Sequence, residues 1–204
     1  MSQFNLSPVT PEHRRAFINA FNNADVGNAL ADKLDGIGDA LVETADIEVL
    51  RRAGFRVHVD KLSFTDLVVA ITDTGGANGG YGSKTLAALV QGLAVILGAR
   101  SSFTITAASG IGATATVKHS LGSAAEATND TLDSTQANII ASTNSVLSGS
   151  AGTASGVSTA VVVLDGTSSA VNLRLNFGVA DAGITATSSI TITGYVEVAY
   201  LVLP

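Results

Sequence analysis

The hydrophobic pattern of the chain changes its period near residue 55. Before that point apolar residues recur every three or four positions; beyond it they recur every second position. Thr10-Pro11-Glu12 supplies a hydroxyl N-cap, a proline at the first helical position and an acid facing the helix dipole. Ala16, Phe17, Ile18, Ala20 and Phe21 then form an apolar stripe, with Phe17 and Phe21 one turn apart. Val26, Leu30, Leu34, Ile37, Leu41, Val42, Ile47 and Leu50 continue that spacing and predict short helices at about 24–34 and 36–52. Gly27, Gly36 and Gly38 weaken them, at about 1 kcal/mol each in a helix interior.

From residue 55 the pattern is that of strands. Phe55, Val57 and Val59 alternate with Arg56, His58 and Asp60, which places the histidine and the aspartate on the outward side. Val171, Leu173, Leu175, Phe177 and Val179 alternate with Asn172, Arg174, Asn176 and Gly178, a strand with one face on a core and one in solvent. Ile190, Ile192, Val196, Val198, Tyr200 and Val202 face one way along the last strand, and Thr191, Thr193, Tyr195 and Glu197 the other. Further strands are predicted at 62–72, 94–107, 113–120 and 158–164, with turns at 74–82, 122–133, 148–158, 165–169 and 180–187. Residues 136–140 read as a single helical turn between strands. Short strands separated by Gly, Ser, Thr, Asn and Asp predict a mainly β protein, an antiparallel sandwich over 55–204 preceded by a helical segment over 1–54.

Charge marks the same boundary: 15 of the first 60 residues are charged, against 13 of the remaining 144. Seventeen of the 21 glycines also fall in the second part. The formal net charge of −6 argues against a nucleic-acid partner, whose backbone is held by clustered Lys and Arg. The longest apolar run, 85–99, is broken by Gln91 and Gly92 and is shorter than the roughly 20 residues of a spanning helix, so no membrane partner is expected. The opening MSQFNLSPVTPEHRR has no apolar core of the secretory kind, which predicts synthesis in the cytoplasm. The absence of cysteine removes disulfides, thiol catalysis and cysteine-bound zinc, and leaves the redox compartment open.

Catalytic patterns are few. In the glycine-rich stretch 74–85 Ser83 separates Gly82 from Lys84, whereas a phosphate loop needs its lysine directly after the last glycine. It reads as a loop turning at Asn78-Gly79. His13, His58 and His119 lack a second histidine at helical or strand spacing, which gives no local metal pair, and His58 and His119 fall on outward positions of strands. No serine sits in a G-x-S-x-G elbow. Asp130 and Asp133 follow no calcium-loop spacing, and Asn129-Asp130-Thr131 matches a glycosylation sequon without a secretory context. The expectation is a protein that is not an enzyme, with no catalytic residue, cofactor or metal.

The order of blocks VDKLSFTDL, GSKTL, LAVILGARSSFTIT, TNDTLDSTQANIIAST, LDGTSSAVNLRLNFGV and SSITITGYVEVAYL, over about residues 57–203, resembles the head decoration, or cement, proteins of tailed bacteriophages. That resemblance implies a jelly-roll-like β-sandwich on the virion exterior that clamps neighbouring subunits of the major capsid protein. It also implies a homo-oligomer, trimer or dimer, fitted to capsid symmetry. The alternative is a receptor- or glycan-binding module of a virion spike or fibre, against which the lack of Trp and the three Tyr weigh. The segment 1–54 lies outside the resemblance. Its Phe4, Phe17, Ile18 and Phe21 are the candidate partner-binding residues, directed at the capsid or a sister subunit, with burial on the chain's own sandwich as the alternative.

Overall fold

The computed structural model describes residues 47–53, 57–89 and 91–203, the first seven by backbone alone. Phe4, Phe17, Ile18, Phe21, His13 and the helices expected before residue 47 lie outside the described residues. The chain divides between Val42 and Glu43, and the described residues belong to the second unit.

The described residues form ten strands: β1 (Ile47–Ala53), β2 (His58–Asp73), β3 (Gly80–Ala88), β4 (Gly92–Ala107), β5 (Thr116–Gly122), β6 (Ile140–Val146), β7 (Ala151–Val157), β8 (Val162–Gly166), β9 (Asn172–Val179) and β10 (Ser188–Leu203). They form a mainly antiparallel β architecture with the path β6-β5-β9-β3-β2-β10-β4-β7. Three 16-residue strands, β2, β10 and β4, run side by side as its spine. Each outer edge of the spine is shared by two short strands. β1 and β3 divide the free edge of β2, and β8 and β7 divide that of β4. The path turns a corner at β2–β3, where only Thr72–Tyr81 and Asp73–Gly80 pair. Its two ends, β6 and β7, come back against each other, so the sheet nearly closes into a barrel.

β10 keeps a single inward phase along its 16 residues, whereas its neighbours β2 and β4 each change phase at a bulge. On β2, Thr65 and Asp66 stand opposite the single residue Thr193, with Asp66 at φ 53°. Below that bulge Asp60, Leu62 and Phe64 point inward, and above it Leu67, Val69 and Ile71 do. On β4, Leu97 is the extra residue between Ile96 and Gly98, and the buried set shifts from Ala94 and Ile96 to Ala99, Ser101, Phe103 and Ile105. At the centre Phe103 meets Phe64 and Phe177 edge-on, both at 6.0 Å between ring centres. Such contacts add about 0.5–1.5 kcal/mol each beyond simple burial.

Several expectations are corrected. Residues 47–53, expected at the end of a helix, form β1, because β2 offers them an open edge. Asp60 is inward and fully buried while Val57 is exposed, the reverse of the expected phase: Leu62 and Phe64 set the inward side and Asp60 shares it. The turn expected at 136–140 is a 3-10 turn at Ser134–Gln136, and Ile140 already begins β6. Residues 148–158, expected as a turn, contain β7, whose AGTASGV sequence has small side chains rather than alternating apolar ones. The strand expected at 158–164 is β8, at Val162–Gly166.

Candidate interaction surface

Register alone builds the outward side of the β2–β10–β4–β7 face. Thr191 pairs with Thr106, and Thr193 with Thr104, which pairs in turn with Thr153. The next row holds Ser63, Tyr195, Ser102 and Ser155, and the one below it Lys61, Glu197, Arg100 and Val157. Two copies of a Thr-Ile-Thr triplet, at 104–106 and 191–193, bury Ile105 and Ile192 and turn their four threonines outward. Thr104, Thr106, Thr153, Ser102 and Ser155 are exposed. Neighbouring strands are about 4.8 Å apart, so this half of the face is a hydroxyl lattice rather than a cleft. Branched threonines suit a strand surface, and their hydroxyls can meet a partner at little desolvation cost.

The charged row divides the face. Arg100 Nε and Nη2 donate to Glu197 Oε1 and Oε2 at 3.1 and 3.2 Å. Hydrogen bonding to Glu197 and then its charge raise the Arg100 pKa. Lys61 Nζ stands 4.5 Å from the centre of the Tyr195 ring and the Arg100 guanidinium 5.7 Å from it. Such exposed pairs are screened by solvent and add little, so they orient the row more than they stabilise the fold. Below the row the face becomes apolar: Leu201 pairs with Val95, which pairs with Val163, and Leu203 pairs with Leu93. Val157 is 68% exposed, Val163 60% and Leu203 46%, high enough for a partner to reach.

The outward side of β9 is different. Asn176, expected in solvent, is fully buried, and Gly178 two positions on is buried too. The connection 123–133 lies over them. Asn176 Oδ1 accepts from the Glu126 N–H at 3.0 Å, and Nδ2 donates to the carbonyls of Ala124 and Gln136 at 3.0 and 2.8 Å. A side chain at Gly178 would collide with the Asp130 backbone. Glu126 Oε1 accepts from the N–H groups of Ala127, Thr128 and Asn129 and from the Thr128 hydroxyl. Burial acts to raise the Glu126 pKa, but the donors of Thr128, Asn129 and Ala127 outweigh it and hold it below the ordinary value. Lys118 Nζ pins the far end of the connection through Asp130 Oδ2 at 2.8 Å.

The residues that drew attention as possible chemistry are scattered or enclosed. His58 stacks on Tyr200 with ring centres 5.2 Å apart, and Tyr200 Oη donates to Asp60 Oδ2 at 2.7 Å. Tyr200 and Asp60 are fully buried and His58 is half-buried, and the group ties β10 to β2. His119, expected on an outer face, is fully buried, because β5 turns it toward Phe103 at 5.2 Å. Lys84 stands in β3 opposite Leu175, and the glycine-rich stretch is a hairpin closed by the Thr74 N–H and hydroxyl on the Gly79 carbonyl. Asp133 precedes the turn at Ser134–Gln136. Among the described residues no three His, Asp or Glu side chains form a metal-binding group, and no helix is long and apolar enough to cross a membrane. Sequence reading missed the hydroxyl lattice, though the repeated Thr-Ile-Thr was its visible signal.

No family model and no curated protein matches the chain. Among solved structures it is similar to an arabinose-bound α-L-arabinofuranosidase, with 10% identity and a TM-score of 0.33 over 78% of this chain. The chain spans 22% of that enzyme. It is also similar to a xylan-binding domain from Paenibacillus barcinonensis, with 10% identity and a TM-score of 0.28, over 81% of this chain and 88% of that domain. Superposition at this level transfers neither a fold assignment nor a ligand.

Proposed function

We propose that the chain is a non-enzymatic structural protein that docks through its β2–β10–β4–β7 face onto a repeating protein surface. The surface that fits the resemblance of residues 57–203 is the outer shell of a tailed-phage head, where the chain would cement neighbouring subunits of the major capsid protein. In this reading the nearly closed sheet is a jelly-roll-like sandwich whose two layers meet at the β2–β3 corner, and copies associate as a trimer or dimer. One observation carries the proposal: a wide face of four strands bears exposed threonine, serine, valine and leucine that no other part of the described chain covers. The outward side of a sheet offers contact area, which a lattice needs, rather than the concave pocket of a small-ligand site. The glycan-binding alternative would rest on Tyr195, whose ring is already approached by Lys61 and Arg100.

The test is occupancy of purified capsid shells by wild-type protein and by a Thr104→Glu/Thr153→Glu double variant. The proposal expects wild type to decorate the shells and the variant to lose at least about tenfold in affinity while melting like wild type. Full decoration by the variant, or no decoration by wild type, contradicts it.

A further inference from the structure

The near-closure of the sheet leaves one seam. β6 and β7 follow each other in the chain and lie side by side, but their backbones bridge only beside the turn, where the Ser148 N–H donates to the Ala151 carbonyl at 2.7 Å. Side chains fill the rest. A Cβ at Gly156 would fall 2.6 Å from Ile140 Cγ2, 3.2 Å from Ser101 Oγ and 3.6 Å from His119 Nε2, so these three groups converge on one point behind β7. Ser101 Oγ and His119 Nε2 are buried there without a hydrogen-bond partner of good geometry. His119 Nδ1 is 3.5 Å from Ser145 Oγ, at the outer limit of a hydrogen bond.

The surroundings of the imidazole are uncharged. β4 presents Ser101 and Phe103, β6 presents Ser145 and the Thr143 carbonyl, β7 presents Gly156 and the Ser155 carbonyl, and β9 presents Phe177. On its own strand Lys118 and Ser120 point to the opposite side, Lys118 to Asp130 and Ser120 to the Gln136 carbonyl. No carboxylate among the described residues faces the ring, so a proton placed on it would be a buried charge without a counter-ion.

We propose that His119 is an acid-sensitive latch: proton uptake at its ring separates β6 from β7 and bares their edges before the β2–β10–β4 spine yields. Burial lowers the imidazole pKa from 6.5 to about 4, with the Ser155 and Thr143 carbonyls pulling weakly the other way. Once the seam opens, the ring titrates as in water, so each pH unit between 6.5 and about 4 favours the open form by about tenfold. Opening the spine would break far more pairing, since β10 is paired along nearly its whole length on both edges.

The experiment is amide hydrogen exchange on the full chain between about pH 7 and about pH 4, corrected for intrinsic rates, in wild type and in H119F, whose ring still packs on Phe103. The expected result is a loss of protection in β6 and β7 of up to about 300-fold that β10 does not share and that H119F lacks. An equal acid response in H119F, or equal losses in β10 and the seam, overturns the latch. If H119F does not fold, H119Q takes its place with the same criteria. The imidazole signals of folded wild type give an independent reading: titration well below 6.5 supports the latch and titration near 6.5 overturns it.

Discussion

The outward sides of β9 and of the β2–β10–β4–β7 face start from the same kind of sequence, polar residues alternating with buried apolar ones, and end in opposite states. Over β9 the chain lays its own connection, held by Asn176, Glu126 and the Lys118–Asp130 pair. Over the other face the described chain lays nothing, although that face carries the exposed Val157, Val163 and Leu203. Ordering a connection costs about 1–2 kcal/mol per residue in backbone entropy, which the network over β9 offsets with charge-assisted and buried hydrogen bonds. In the proposed reading, the cover of that bare face comes from outside the described chain.

The largest expected effect lies in the interior beneath both faces. Phe177→Ala removes a ring packed on Phe103 and should cost about 3–5 kcal/mol in denaturant unfolding. Acid comes next. The folded pKa of His119 lies below its unfolded value, so the unfolded chain binds the proton more tightly. Stability is therefore complete above pH 6.5 and falls by about 3 kcal/mol as pH drops toward about 4. Glu126, whose pKa is also depressed, adds a loss of the same sign at lower pH, as its carboxylate is protonated. Unfolding followed against pH should show both in wild type and only the second in H119F.

The covered and bare faces then separate directly. Asn176→Ala should cost about 1–3 kcal/mol, because it strands the Glu126 N–H and the Ala124 carbonyl under the connection and leaves the Gln136 carbonyl with the Ser120 hydroxyl alone. Thr153→Lys on the bare face should change stability by no more than about 0.5 kcal/mol while weakening attachment to shells. Similar losses at the two positions would erase the contrast between the faces.

Much of this was legible in the chain. The alternation of Leu173, Leu175, Phe177 and Val179 places the inward side of β9, and Ile190 to Tyr200 that of β10, where the residues facing the core are large and regular. Legibility fails where a partner strand or connection decides. Asn176 looks like a solvent residue because its partners lie 40 to 52 positions away in sequence. Asp60 and His119 look outward because polarity suggests it, yet their phase follows Leu62 and Val117, the inward neighbours two positions along each strand. β7 was hidden by its small side chains, which the close approach of Ile140 to Gly156 requires. The interaction face was readable only as scattered threonines until register put Thr193, Thr104 and Thr153 in one row.

The most direct test of the bare face is a reconstruction of capsid shells carrying the bound chain, at a resolution that traces strands. The account predicts the chain on the shell exterior with Thr104, Thr153 and Tyr195 turned toward the capsid subunits. The chain seated by its 123–133 connection with those residues facing solvent, or shells that carry no chain at all, would contradict it.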